Sequence, residues 1–426
     1  VLGPPRSGKT SCVVVPAVLH AGGPVVVTST KADVMRVTAR ARGERGRCML
    51  FDPSGSVRPA PGVEPVAWSP LVRARTWDKA FIVADQMVQT ARPGTDRGDA
   101  SHWSGRATEL LAVALHAAAL DDMPVRRMIS AIERRDVAEL RLPLARDSAD
   151  LALGALSSIL LTDSREQSGI WSTASGVLAG YRSEAALSST SGSAVDESFL
   201  DAANTLYVCA ASDHQRMAAP LVVGMLWDLT SAAYDRSEAR EAGERRSEPP
   251  LLLALDELAN IAPLPSLPKM LAEGGSQGVV ILGCLQDLSQ ARARWRLEAD
   301  GFLTLFGTKL LLAGIGDTRT LEAVSQLVGD VDVHMRSVSS SPPPPFFGRG
   351  QSTHTDSTRR ERRLPVDLLA RGEPGYALML EGAHPSVVGL VPWFKSIEMR
   401  AAVEGRQVCS GSLTRSSQLS RTPGHH

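Results

Sequence analysis

The chain has 426 residues, in which 46 Lys plus Arg balance 46 Asp plus Glu, a length too great for one ordinary domain and suited to two or three. Hydrophobic residues make up 43% and charged residues 22%, the mix of a soluble globular protein able to bury a large core. A formal net charge of zero excludes a global basic field, so a nucleic-acid partner has to be held by local patches.

Gly3-Pro4-Pro5-Arg6-Ser7-Gly8-Lys9-Thr10 fits the phosphate-loop pattern G-x-x-x-x-G-K-[ST]. Two glycines let backbone N–H groups turn inward around phosphate oxygens. Lys9 then reaches the β- and γ-phosphates, and the Thr10 hydroxyl ligates Mg²⁺. A helix from about Ser11 presents its positive end to the same anion. The nucleotide-binding set is thus Gly3 to Ser11, with ATP and Mg²⁺ as ligands. Such a loop hangs off a buried strand, yet only Val1 and Leu2 precede it here. The expectation is a fragment whose first strand has been cut short.

Further along, "PVVVTS" (24–29), "CMLFD" (48–52), "TLYVCAA" (205–211), "LLLALDE" (251–257), "VVILGCLQ" (279–286) and "KLLLAGI" (309–315) read as strands. They are almost continuously apolar, as in a parallel sheet covered on both faces. Helical patterns such as 219–237 and 318–329 alternate with them, giving an open α/β sheet. From about Arg73 to Asp196 only helical periodicity is found, which predicts an inserted all-α domain of roughly 120 residues. The domain reading is 1–72 with 198–400 as the nucleotide-binding part, 73–197 as the all-α part, and 401–426 as a disordered tail. Stretches 91–101 and 188–198 read as loops, and the Pro/Ser-rich then basic 337–363 as a mobile loop. No run of 18 apolar residues occurs, so no membrane span is predicted.

The apolar run 251–255 ends in Asp256 and Glu257. Asp256 is placed to hold Mg²⁺ through water, and Glu257 to activate the attacking water as general base. The strand after it ends at Gln286, whose amide suits contact with the γ-phosphate or that water. Lys9, Glu257 and Gln286 form the catalytic set; Thr10 and Asp256 form the metal set. The five cysteines, Cys12, Cys48, Cys209, Cys284 and Cys409, lack C-x-x-C spacing and read as reduced thiols without a structural metal. Asp213-His214 reads as a helix cap, and the terminal His425-His426 as tag-like or incidental. The basic runs 290–296 and 359–363 read first as solvated faces and second as nucleic-acid contacts. Arg292, Arg294 and Arg319 are candidate arginine fingers across a subunit boundary, with nothing to choose among them.

In this order the elements resemble the type IV secretion coupling proteins, the TraG/TraD-like conjugation ATPases. The resemblance rests on "GPPRSGKT", "VVVTSTKADV", "LFDPSG", "WSPL", the helical insertion, "LLLALDELANIAPLPSLPKMLAEGGSQGV", "LGCLQDLSQ" and "GDTRTLEAVSQLVG", and spans roughly residues 1–395. It implies a RecA-like ATPase domain in a ring homo-hexamer at the cytoplasmic face of the bacterial inner membrane. It further implies an N-terminal membrane anchor outside this chain and an all-α domain that recruits substrate. The partners implied are single-stranded DNA with its relaxase, effector proteins, and other secretion components. One departure is "EGGSQG": Ser276 and Gln277 stand where some relatives carry an arginine. The leading expectation is an ATP-driven motor for DNA or protein-bound DNA. Beside it stand a double-stranded DNA translocase of the FtsK/HerA kind and a nucleotide-switched recruitment module with little hydrolysis.

Overall fold

The computed structural model describes residues 1–406 apart from 94–98, 212, 214, 244–247, 274, 276, 341–351 and 383. Its strands are β1 Val25–Ser29, β2 Cys48–Phe51, β3 Val63–Pro65, β4 Thr205–Cys209, β5 Leu251–Leu255, β6 Val279–Gly283, β7 Thr308–Leu312, β8 Asp330–Ser340, β9 Ser352–Arg362, β10 Tyr376–Glu381 and β11 His384–Gly389. Six pair in the order β3-β2-β4-β1-β5-β6, every pair parallel. Leu2 carries the sheet further. It bridges in parallel to Leu285, just beyond β6, and to Leu311 in β7. Leu2 N–H donates to Leu310 O at 2.7 Å, and Leu312 N–H donates to Leu2 O at 2.8 Å. The residues before the glycine-rich loop therefore lie within the sheet. Beyond β7, the strands β10 and β11 add on antiparallel.

The apolar runs are continuous because both faces of the sheet are covered. In β1, Val25 and Val27 enter one apolar layer while Val26 enters the other. The first layer is closed by the helices Lys9–His20, Asp33–Gly43 and Ile397–Glu404. Arg42 is wholly buried there and ties that layer to the sheet, donating to Thr205 Oγ1 at 2.7 Å, Ala21 O at 2.5 Å and Gly23 O at 2.7 Å. Burial alone would be costly for a guanidinium; these acceptors offset it.

On the other face lies the helix Gln215–Glu241. Its part Met217–Glu241 is long and apolar enough to cross a membrane by length and composition, but 78% of its most apolar window is buried inside this fold.

Between β3 and β4 the chain builds helices Trp77–Ala91, Asp99–Leu120, Val125–Arg134, Val137–Arg146, Asp150–Leu160 and Ser164–Val177. Leu110 to Leu115 are all wholly buried, so the C-terminal half of Asp99–Leu120 is buried all round and forms the bundle's axis. The predicted helical segment is thus helical.

Other expectations need correction. Residues 337–363 are not one loop: β8 and β9 form a hairpin from Asp330↔Arg362 to Ser340↔Ser352. Period-two alternation, Val331, Val333 and Met335 against Asp330, Asp332 and His334, marks β8 as a strand. The tail expected to lack order from residue 401 is helical to Glu404. Residues 407–426, with Cys409, His425 and His426, lie outside the described residues, as do His214 and Ser276. The other four cysteines are free, and no metal-binding cluster occurs among the described residues.

Candidate nucleotide site

Both loop glycines have a physical reason. Gly8 has φ 98°, a backbone conformation that favours glycine. A Cβ on Gly3 would lie 2.7 Å from Ser7 Oγ and 2.9 Å from Leu312 Cβ. The first turn after the loop, Lys9–Val14, winds as a π-helix, a local form often met at functional sites. Lys9 Nζ folds back over the loop, donating to Gly3 O at 2.5 Å and Pro4 O at 3.0 Å. Ser7 Oγ is buried with no hydrogen-bond partner, an orphan that an anion in the loop would satisfy.

β5 delivers the acidic side. Thr10 Oγ1 donates to Asp256 Oδ2 at 2.8 Å, across 246 positions of sequence. Asp256 is 8% exposed, and burial pushes its carboxyl up to about 6, with Glu257 and Asp33 raising it further and the Thr10 hydrogen bond opposing. An oxygen-rich pair of this kind suits a hard divalent cation. Glu257 is half-buried, and its Oε2 accepts from Asn260 Nδ2 at 3.2 Å.

Together these side chains line a cleft of about 470 Å³. Of the predicted set, Pro5, Arg6, Gly8, Lys9, Thr10, Ser11, Asp256 and Glu257 line it. Gly3, Pro4 and Ser7 shape the loop behind it. Gln286 follows β6 and is not a lining residue; its N–H donates to Gln290 Oε1 at 2.9 Å. The three candidate fingers fare unequally. Arg292 is paired with Asp300 at 3.2 Å and Asp317 at 3.6 Å, Arg294 donates to Ala259 O at 2.9 Å, and Arg319 is exposed.

Sequence reasoning missed Lys31, Asp33, Val37 and Trp393, which also line the cleft, and the Asn260 contact. "VVVTSTKADV" contained the first two, with Val37 three residues beyond it, but nothing in their spacing marks them as cleft residues. Trp393 reaches the site from far down the chain, where no motif exists.

Residues 250–373 match the family described as the TraM recognition site of TraD and TraG. Two conjugal transfer proteins TraG of Escherichia coli are 27% and 26% identical over 314 residues, 68% of this chain. The chain spans about half (48%) of the length of those relatives. Among solved structures, the bacterial conjugative coupling protein TrwBdeltaN70 with sulphate matches at a TM-score of 0.68 and 19% identity, covering 91% of this chain and 84% of that one. TrwB in complex with ADP and Mg²⁺ matches at 0.67 and 18% identity, covering 92% and 84%. The shared fold is the RecA-like α/β fold with a mostly parallel sheet. The family match over residues 250–373, the two relatives and this fold agree in making the chain similar to the TraG/TraD proteins.

Proposed function

We propose that this chain is the nucleotide-hydrolysing part of a conjugative coupling protein. On this reading it moves single-stranded DNA, with its attached relaxase, or effector proteins, toward a type IV secretion channel. The observation that carries the reading is the 2.8 Å contact between Thr10 and Asp256, which joins the glycine-rich loop and the acidic strand end into one cleft.

ATP is the substrate. Lys9 exchanges its two loop carbonyls for the β- and γ-phosphates, and the loop N–H groups with Ser7 Oγ cradle the same oxygens. Thr10, and Asp256 through water, would hold Mg²⁺, which would neutralise charge on the phosphates. Glu257 accepts a proton from the attacking water as general base while the water oxygen bonds to the γ-phosphorus and the bond from that phosphorus to the bridging oxygen of ADP breaks; the proton then passes to the departing phosphate. Gln286, at the neighbouring strand end but outside the cleft lining, would have to turn toward the γ-phosphate to report it. The assembly is a homo-hexamer on the cytoplasmic face of the inner membrane. Its recruitment surfaces are the helical segment, proposed as a domain over 73–197, and the 250–373 region.

TrwB has been solved with ADP and Mg²⁺ and with a non-hydrolysable ATP analogue, which supports the choice of ligand. The test is the ATPase rate with and without single-stranded DNA. A DNA-stimulated rate that Lys9→Ala and Glu257→Gln both abolish is the expected result, with Glu257→Gln keeping its nucleotide affinity. A basal rate indifferent to DNA, with ATP-dependent partner binding, would replace the motor by a recruitment switch.

A further inference from the structure

The cleft combines polar and apolar lining, with Arg6, Lys31 and Asp33 among its charged residues. Lys9, Thr10, Asp256 and Glu257 supply cation, hydroxyl and carboxylates. Val15, Val34, Val37 and Trp393 give part of the wall an apolar and aromatic character. Val15 opens the α-helical continuation after the π-helical turn Lys9–Val14. A nucleoside triphosphate combines the same two characters, with an anionic tail and a flat, weakly polar ring. We propose that Trp393 is the stacking wall for the nucleobase. This rests on reading the cleft as a nucleotide site.

Trp393 is built to stay in place. It opens the short turn Trp393–Lys395 after Pro392 and meets Phe394 edge-on, with centroids 5.7 Å apart and planes at 84°. Ser396 then caps the helix Ile397–Glu404 by accepting from Met399 N–H at 3.3 Å. That helix packs on Asp33–Gly43, the helix that also supplies Val34 and Val37. A strap from the far end of the chain thereby closes over the first apolar layer, with the half-buried indole against it. The indole N–H makes no hydrogen bond among the described residues, so the ring is held by packing where it lines the cleft. Stacking reads ring area and not the hydrogen-bonding edge. Trp393 thus selects a purine over a pyrimidine and does not distinguish adenine from guanine.

Calorimetric titration of the whole chain with Mg²⁺ and either a non-hydrolysable ATP analogue or inorganic tripolyphosphate separates the two kinds of lining. Trp393→Ala is expected to weaken the analogue by about tenfold or more, the scale of one base–aromatic stack, and to leave tripolyphosphate unchanged. Trp393→Phe is expected to restore most of the affinity, and Lys9→Ala to weaken both ligands. Unchanged analogue affinity in Trp393→Ala, or equal loss of both ligands, overturns the stacking role while the nucleotide reading stands. Wild-type chain that takes up neither ligand overturns both.

Discussion

Asn260 holds Glu257 at 3.2 Å, three positions away in the same turn. On the proposed reading Glu257 is the general base, and the amide competes with the attacking water for one of its carboxylate oxygens. Removing the amide with Asn260→Ala is therefore expected to raise the DNA-independent ATPase rate severalfold without changing nucleotide affinity. Asn260→Asp, which places a like charge beside Glu257, should not mimic it. An equal loss of affinity and turnover in both variants would reduce Asn260 to a structural turn residue.

A second residue reports its burial through pH. Burial pushes the Asp228 carboxyl up to about 6, opposed by the hydrogen bond from Trp68 and by Arg73. The folded value lies above the unfolded one of about 3.9, so the native state binds the proton more tightly. The stability this group contributes is present below about pH 4 and lost as pH rises through about 6. Asp228→Asn keeps an acceptor for Trp68 Nε1, now 2.6 Å from Oδ2, and does not titrate. The variant should gain on wild type by about 1–2 kcal/mol between pH 5 and pH 8 in urea unfolding; a constant difference would show that the buried carboxyl is not the cause. The loop, Asp256 and Glu257 were legible because each is defined by its immediate neighbours in the chain. Asn260 and Trp393 were not, since their roles arise only when a turn closes or a distant strap folds back.

Elements were legible where one physical pattern ruled the whole segment. Every strand expected from a continuous apolar run has its counterpart in β1, β2, β4, β5, β6 or β7; β1, β2 and β4 are buried at every residue, which leaves no polar face to blur the signal, while β6 and the Leu310–Leu312 part of β7 stay apolar although Val280 and Thr308 are exposed. β3 has only Val63 buried, and β11 has no residue buried, so neither carries a periodic signature. The β8–β9 hairpin was hidden by the Pro-rich composition between its arms, although β8 alternates from Asp330 to Met335.

Helix Gln215–Glu241 shows how close packing is written in a single glycine. A Cβ on Gly224 would stand 2.4 Å from Trp68 Cη2, and Trp68 cannot retreat while its indole N–H is held by Asp228. Alanine is favoured over glycine inside a helix by roughly 1 kcal/mol, yet overpacking a buried contact costs about 1–3 kcal/mol. Gly224→Ala is thus expected to lower the urea midpoint despite its better helix propensity. A raised midpoint would mean that the helix can shift away from the tryptophan without cost.

At the scale of the whole molecule, composition and element order imply two domains, while packing joins them. The apolar cluster beneath the sheet, with Leu253, Leu226 and Leu229, is continuous with that of the bundle, with Leu110, Met87 and Ile159. Helix Trp77–Ala91 packs along Gln215–Glu241. Gly180 approaches so closely that a Cβ there would lie 2.3 Å from Met217 O. Arg73, at the root of the bundle, faces Asp228 at 3.6 Å and Asp235 at 3.8 Å. The sequence hides this seam because it shows which face of a helix is apolar and not what that face meets. Contacts of this density couple the unfolding of the two parts, since opening either one strips the buried face of Gln215–Glu241. A single cooperative urea transition, coincident by tryptophan fluorescence and far-UV circular dichroism, is the expected behaviour of this chain. Gly180→Val should move the whole transition to lower denaturant without splitting it. Two separated transitions, with helical signal surviving after the fluorescence change, would establish instead that bundle and sheet are stable apart and that their shared core contributes little.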